Sequence, residues 1–259
     1  MTKLAWTRLL VLSLLYPLGA SAQLNLVGYW APIFHEDFDE RIPGPPIGDY
    51  LGLPINDAAR LRAQSWDASL LSLPEHQCKP HPSTYGFRGV GTLRIWETRD
   101  PKTQQLVKIN TQIEWQEQRR EIWLDGRPHP PEYALHTWYG FSTGKWEGET
   151  LVVTTTHIKE GYVRRNGVPH SDQMTVTEYF TRHGEDLLTM VAVFDDPIFM
   201  TEPLVRHMSF RYDPDAVMPE FPCDERELVE LDGAQLIPHF LPGENPFIES
   251  ANVDYFENE

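Results

Sequence analysis

Two charged residues fall in phase with apolar ones. Along residues 174–182 the even positions read Met174, Val176, Glu178 and Phe180, and along 204–212 they read Leu204, Arg206, Met208 and Phe210. Alternate side chains of an extended chain share a face, so Glu178 and Arg206 are expected on the inward faces of their strands. An unpaired buried charge costs on the order of several kcal/mol, so each needs an opposite charge or a ligand. One outcome is a structural ion pair. The other is an interior site in which Arg206 orients an anionic or carbonyl group and Glu178 acts as acid or base. His170 and Asp172 stand just before the Glu178 strand, at a loop expected on the rim, and could extend that chemistry to proton transfer. Their spacing does not itself make a dyad, because residues two apart share a face without having to touch; a surface-loop histidine is the other reading.

Further imidazoles stand at His129, His136 and His157. They lack the i, i+4 helical or His-x-His strand spacing of a metal site, so no metal is expected. Ser142 and Ser171 lack a Gly-x-Ser-x-Gly context, so a serine hydrolase of the elbow type is not expected; no phosphate-cradling glycine loop is present, and no cofactor is expected. The tryptophans Trp115, Trp123, Trp138 and Trp146 either pack as strand aromatics usually do or line a cavity suited to a small apolar or aromatic molecule.

These residues need a scaffold, and from residue 91 the texture supplies one: short runs rich in Val, Ile, Thr, Tyr and Trp separated by turn signals. Strands are predicted over 111–117, 120–124, 141–146, 151–158, 174–182, 187–194 and 204–212. In the first, Ile113 and Trp115 face one way and Gln112, Glu114 and Gln116 the other. Glu147-Gly148-Glu149-Thr150 and His183-Gly184-Glu185-Asp186 supply hairpin loops. An antiparallel meander of about eight strands closes into a barrel or folds over as a sandwich. Upstream, Leu26 to Trp30 forms a short strand and a Pro- and Gly-dense arm follows. A helix over 58–70 is capped by Asn56 or Asp57, with Leu61, Ser65, Trp66 and Ala68 near one side.

The first 22 residues read as an export signal: Lys3 and Arg8 precede the apolar run Leu9 to Leu15, and Ala20-Ser21-Ala22 offers a small-x-small cleavage pattern. The apolar run is far short of the ~20 residues a membrane span needs. The predicted organisation is a signal peptide (1–22), an N-terminal strand, arm and helix (23–90), an antiparallel β domain (91–231) and an extended acidic tail (232–259). A periplasmic or secreted location follows. In that compartment Cys78 and Cys223 are expected to pair as a disulfide; the other reading is a reactive thiol or a metal site of His76, Cys78 and His81. A net charge of −16, which grows more negative when Lys3 and Arg8 are removed, argues against nucleic acid or anionic lipid as a partner.

The run Gly144-Lys145-Trp146-Glu147-Gly148-Glu149-Thr150-Leu151-Val152-Val153-Thr154-Thr155-Thr156, with Trp123-Leu124-Asp125-Gly126-Arg127-Pro128-His129-Pro130 before it and Pro169-His170-Ser171-Asp172 through Thr177-Glu178 after it, resembles a broad family of exported bacterial proteins of unknown function. The resemblance spans roughly residues 74–230 and implies no activity. Where that family has His after the glycine at position 140, this chain has Phe141. Gly28-Tyr29-Trp30 is similar to the Gly-x-Trp of lipocalin-like barrels, which implies a calycin-like barrel with the indole plugging its closed end.

The reading that follows is an exported β-barrel binding a small, largely apolar molecule, with Arg206 and Glu178 as polar anchors. A cofactor-free hydratase, isomerase or lyase using Glu178 with His170 and Asp172 is the alternative. An envelope interaction protein with a solid core, using its arm and tail to hold a partner, is a third.

Overall fold

A computed structural model describes residues 24–34, 50, 52–65, 91–163 and 167–220. The segments predicted as signal peptide (1–22) and acidic tail (232–259), with Cys78, Cys223, His76 and His81, lie outside them. The fold is mainly β, with a closed nine-stranded barrel and one α-helix among the described residues. In chain order the elements are β1 (Gly28–Ile33), α1 (Asp57–Gln64), β2 (Leu93–Arg99), β3 (Leu106–Ile113), β4 (Gln118–Trp123), β5 (Phe141–Glu147), β6 (Thr150–Thr156), β7 (Gly161–Tyr162), β8 (Pro169–His170), β9 (Thr175–His183), β10 (Leu187–Asp195) and β11 (Leu204–Tyr212). Around the barrel they run β1, β11, β10, β9, β6, β5, β4, β3, β2, while β7 and β8 form a separate pair. β1 pairs with both β2 and β11, so the N-terminal strand completes the barrel. Among the described residues no helix is long and apolar enough to cross a membrane.

Three details differ from the pattern expected of the sequence. The barrel is not a pure antiparallel meander: β4 and β5 are parallel, joined by a crossover over residues 124–140, and β6 passes to β9 through the β7–β8 excursion. The predicted strand over 111–117 ends at Ile113, and Trp115–Glu117 is a 3₁₀ turn with Gln116 and Glu117 at φ 56° and 49°. Ile113 and Trp115 mimic alternation across a point where the chain reverses, and β3 is buried on both faces from Ile109 to Ile113. The helix is capped by Asn56, whose side chain accepts the Ala59 N–H at 3.0 Å. It buries Ala59 and Ala63 and leaves Leu61 70% exposed, because only the small side chains fit against the barrel end. Residues 66–70 of the expected helix lie outside the described residues.

Strict alternation over β9, β10 and β11 sends one face inward, and the inner residues form two apolar clusters. One fills the barrel around Trp30, Leu93, Ile122, Leu151, Phe180 and Phe210. Trp30 is fully buried, donates its indole N–H to Leu26 O at 2.9 Å, meets Tyr212 edge-on, and lies under the Arg182 guanidinium at 5.3 Å. Gly28 permits this end to close, since a Cβ there would lie 2.4 Å from the Tyr212 ring. The second cluster caps the opposite end. It joins Ala59 and Ala63 of α1 and Ile158, Val168 and Met174 to Val176, Phe194 and Leu204 of the barrel strands.

Candidate binding site inside the barrel

The boundary between the two clusters is polar. On β9, Glu178 stands between Val176 of the cap and Phe180 of the barrel cluster; on β11, Arg206 stands between Leu204 and Met208 in the same way. Glu178 is fully buried, and its cross-strand neighbours are Val153 on β6 and Ala192 on β10. Its partner is Arg120 of β4, whose Nη1 donates to Glu178 Oε2 at 2.5 Å across the intervening β5 and β6. The structural ion pair is therefore made with Arg120 and not with Arg206. Arg206 is half-buried on the same inner face, with Ala192 directly opposite it and Glu178 opposite Ala192 on the far side.

Arg120 is the residue that strand-by-strand reading missed. Its signal was present: Gln118, Arg120 and Ile122 are buried while Arg119 and Glu121 are exposed, a period of two that puts the guanidinium inside. Burial pushes the Glu178 carboxyl above its ordinary range, and the Arg120 charge and hydrogen bond partly offset this. Glu178 Oε1 has no hydrogen-bond partner among the described residues, and neither has Gln118 Nε2, one turn of the pleat from Arg120. Ser142 and Thr155 bond to each other at 2.8 Å on the inner face of β5 and β6.

The other expected site residues are not gathered here. His170 is fully buried in β8, within the cap, and its Nδ1 bonds the Ser171 carbonyl at 3.2 Å. Asp172 is exposed. The buried acid of this region is instead Asp196, which accepts Ser171 N–H at 2.6 Å, Ser171 O–H at 2.7 Å, Ile198 N–H at 3.0 Å and Phe199 N–H at 3.2 Å. That saturates the carboxylate and ties the β8–β9 turn to the β10–β11 loop; the sequence hint is an Asp placed to cap its own turn. Of the four tryptophans, Trp146 stands on the inner face, half-buried against the barrel cluster. Trp123, one residue after the inward Ile122, is on the outer face between Arg127 at 3.5 Å and Lys108 at 4.8 Å. Trp138 lies in the crossover beneath Lys159, and Trp115 lies in the 3₁₀ turn. His129, His136 and His157 gather on the outside of β5 and β6. No group of three or more His, Cys, Asp or Glu among the described residues is placed to hold a metal ion.

Comparison of the chain with protein-family models, with curated proteins and with solved structures finds no match. A paired arginine and glutamate inside an apolar enclosure can hold a polar head group by charge-assisted hydrogen bonds, and a carboxyl pushed upward can hold a proton for transfer.

Proposed function

We propose that this protein binds a small, largely apolar molecule inside its barrel, with Arg120 and Glu178 as the polar anchor and Arg206 on the same inner face. The observation that carries the reading is the fully buried Glu178 carboxylate, which keeps one oxygen without a partner among the described residues at the junction of two apolar clusters. Buried polar atoms are almost always satisfied, and a ligand donor would satisfy this one. Apolar side chains beside it suit an apolar body. The export-signal pattern read in residues 1–22 supports a periplasmic or extracellular setting for this binding. Titration with the neutral apolar dye N-phenyl-1-naphthylamine tests it: saturable, one-to-one fluorescence enhancement is expected, weakened by roughly tenfold in Glu178→Leu, the loss of one charge-assisted hydrogen bond. Absence of saturable binding, with no small molecule found in native mass spectra of the purified protein, would overturn the reading and favour an interaction protein with a solid core.

A second reading, acid–base catalysis without a cofactor, is favoured by the raised Glu178 carboxyl alone. Its support is Glu178 itself, since His170 is buried in β8 and Asp172 is exposed.

A further inference from the structure

The barrel has one parallel junction, and it is the shortest: β4 and β5 pair only at Ile122–Ser142 and Trp123–Thr143. The crossover that makes the junction parallel returns along the outside of the barrel and is pinned there by imidazoles. His129 reaches Thr156 Oγ1 through Nδ1 and Thr143 Oγ1 through Nε2, both at 2.8 Å. Thr156 Oγ1 also meets His157 Nδ1 at 2.8 Å, and His157 Nε2 meets Pro131 O at 3.0 Å. Thr143 is itself one of the junction residues. Farther along, Thr137 bridges to Ile158 through backbone bonds, and Gly140 passes so close beneath β6 that a Cβ would lie 2.5 Å from Thr156 O.

The acceptors dictate the protons. Pro131 O can only accept, so His157 carries its hydrogen on Nε2 and its Nδ1 accepts from Thr156 O–H. Thr156 then accepts from His129 Nδ1–H, which leaves His129 Nε2 to accept from Thr143 O–H. Every donor and acceptor in the chain is matched when both imidazoles are neutral. A proton added to His129 Nε2 is met by the Thr143 hydroxyl, which can turn to accept. A second proton, on His157 Nδ1, faces the same Thr156 oxygen that already accepts from His129, so two cations would share one hydroxyl. Burial and the neighbouring His157 already hold the His129 imidazole below its ordinary range.

The surroundings offer little to offset those charges. On the crossover, Asp125 is engaged by Arg127, Glu132 is exposed, and the His136 ring stacks on His157 at 5.1 Å. On β4, Lys108 of the adjacent strand takes Glu121, and Arg119 pairs with Glu117. On β5, Lys145 pairs with Glu147; Tyr179 faces Lys145 from β9. After β6, Lys159 covers Trp138 and Glu160 pairs with Arg62 of α1.

We propose that the chain Thr143–His129–Thr156–His157–Pro131 is a latch that holds the crossover over the parallel junction at neutral pH and releases it on acidification, opening the interior from the side. The latch is a property of the fold, and its consequence for the interior rests on the binding reading above. The test is hydrogen exchange of the intact protein at about pH 7.5 and about pH 5, corrected for intrinsic rates, read on peptides covering 124–144. The expected result is a roughly tenfold loss of protection in these peptides on acidification, with β9 and β10 unchanged. In His129→Gln/His157→Gln the pH dependence should vanish, and in Thr156→Val protection should be low at both pH values. Equal protection of the wild type at both pH values would overturn the latch, even if every variant failed to fold. So would a pH response that survives in the double variant. N-phenyl-1-naphthylamine uptake separates the two ideas: an exchange response without dye binding leaves the latch standing and removes the interior site. Dye binding without an exchange response does the reverse.

Discussion

Replacing Arg120 by Met removes the cation from a fully buried carboxylate while a side chain of similar length keeps most of the space occupied. At an effective dielectric of about 20, charges about 4 Å apart attract by about 4 kcal/mol, and breaking a buried pair by deleting one partner typically costs about 3–5 kcal/mol. For a folded unit of this size that corresponds to a drop in melting temperature of about 6–20 °C. The loss depends on pH with a definite sign. Glu178 has a folded pKa above its unfolded value, so its contribution is fully present below the unfolded value and is lost as pH rises through the folded one. Without Arg120 the carboxyl rises further, so Arg120→Met should be more destabilising at neutral pH than at mildly acidic pH. Arg120→Met/Glu178→Leu removes both charges and should recover most of the stability. Urea titrations followed by tryptophan fluorescence, at two pH values for all three proteins, measure this. A deficit below about 1 kcal/mol in Arg120→Met, or a double variant as unstable as the single one, would show that the pair is not the desolvated bridge its burial implies.

The His129 contribution to wild-type stability runs the other way from that of Glu178 and falls as pH drops. The His129 imidazole titrates near 6.5 when unfolded and lower when folded, so its contribution is intact above the unfolded value and drains away as pH falls through the folded one; His129→Gln should flatten the urea midpoint over that range. Asp196→Ala strands three backbone N–H groups and one hydroxyl, and should cost about 3–5 kcal/mol, read as an early loss of the β8–β9 turn in hydrogen exchange. Trp30→Leu leaves a hole under Arg182 and beside Tyr212 and should cost about 2–4 kcal/mol, with loss of near-ultraviolet dichroism. A stability unchanged by Trp30→Leu would mean that the barrel end repacks freely.

Period-two alternation is a local property, and it made the inward faces of β9 and β11 legible from residue types alone. Glu178 and Arg206 were recognisable as inward charges for that reason, as were the hairpins at Gly148 and Gly184 and the Asn56 cap. Alternation says nothing about which strand lies across the lumen. Arg120 and Glu178 are separated by two intervening strands and by 58 positions of sequence, so their pairing is decided only by barrel closure and strand tilt. The same holds for the parallel junction: residues 124–140 carry no helical crossover signal, and whether β5 runs with or against β4 depends on where that segment is pinned. The imidazoles that pin it sit at positions 129 and 157, with His136 packed on His157, and they converge because Thr143 on β5 and Thr156 on β6, offset by two residues in the register, are both bonded by His129. His170 and Asp172, two apart in sequence, are parted by burial because one side chain turns into the cap and the other into water. Local chemistry chose the faces; closure of the sheet chose the partners.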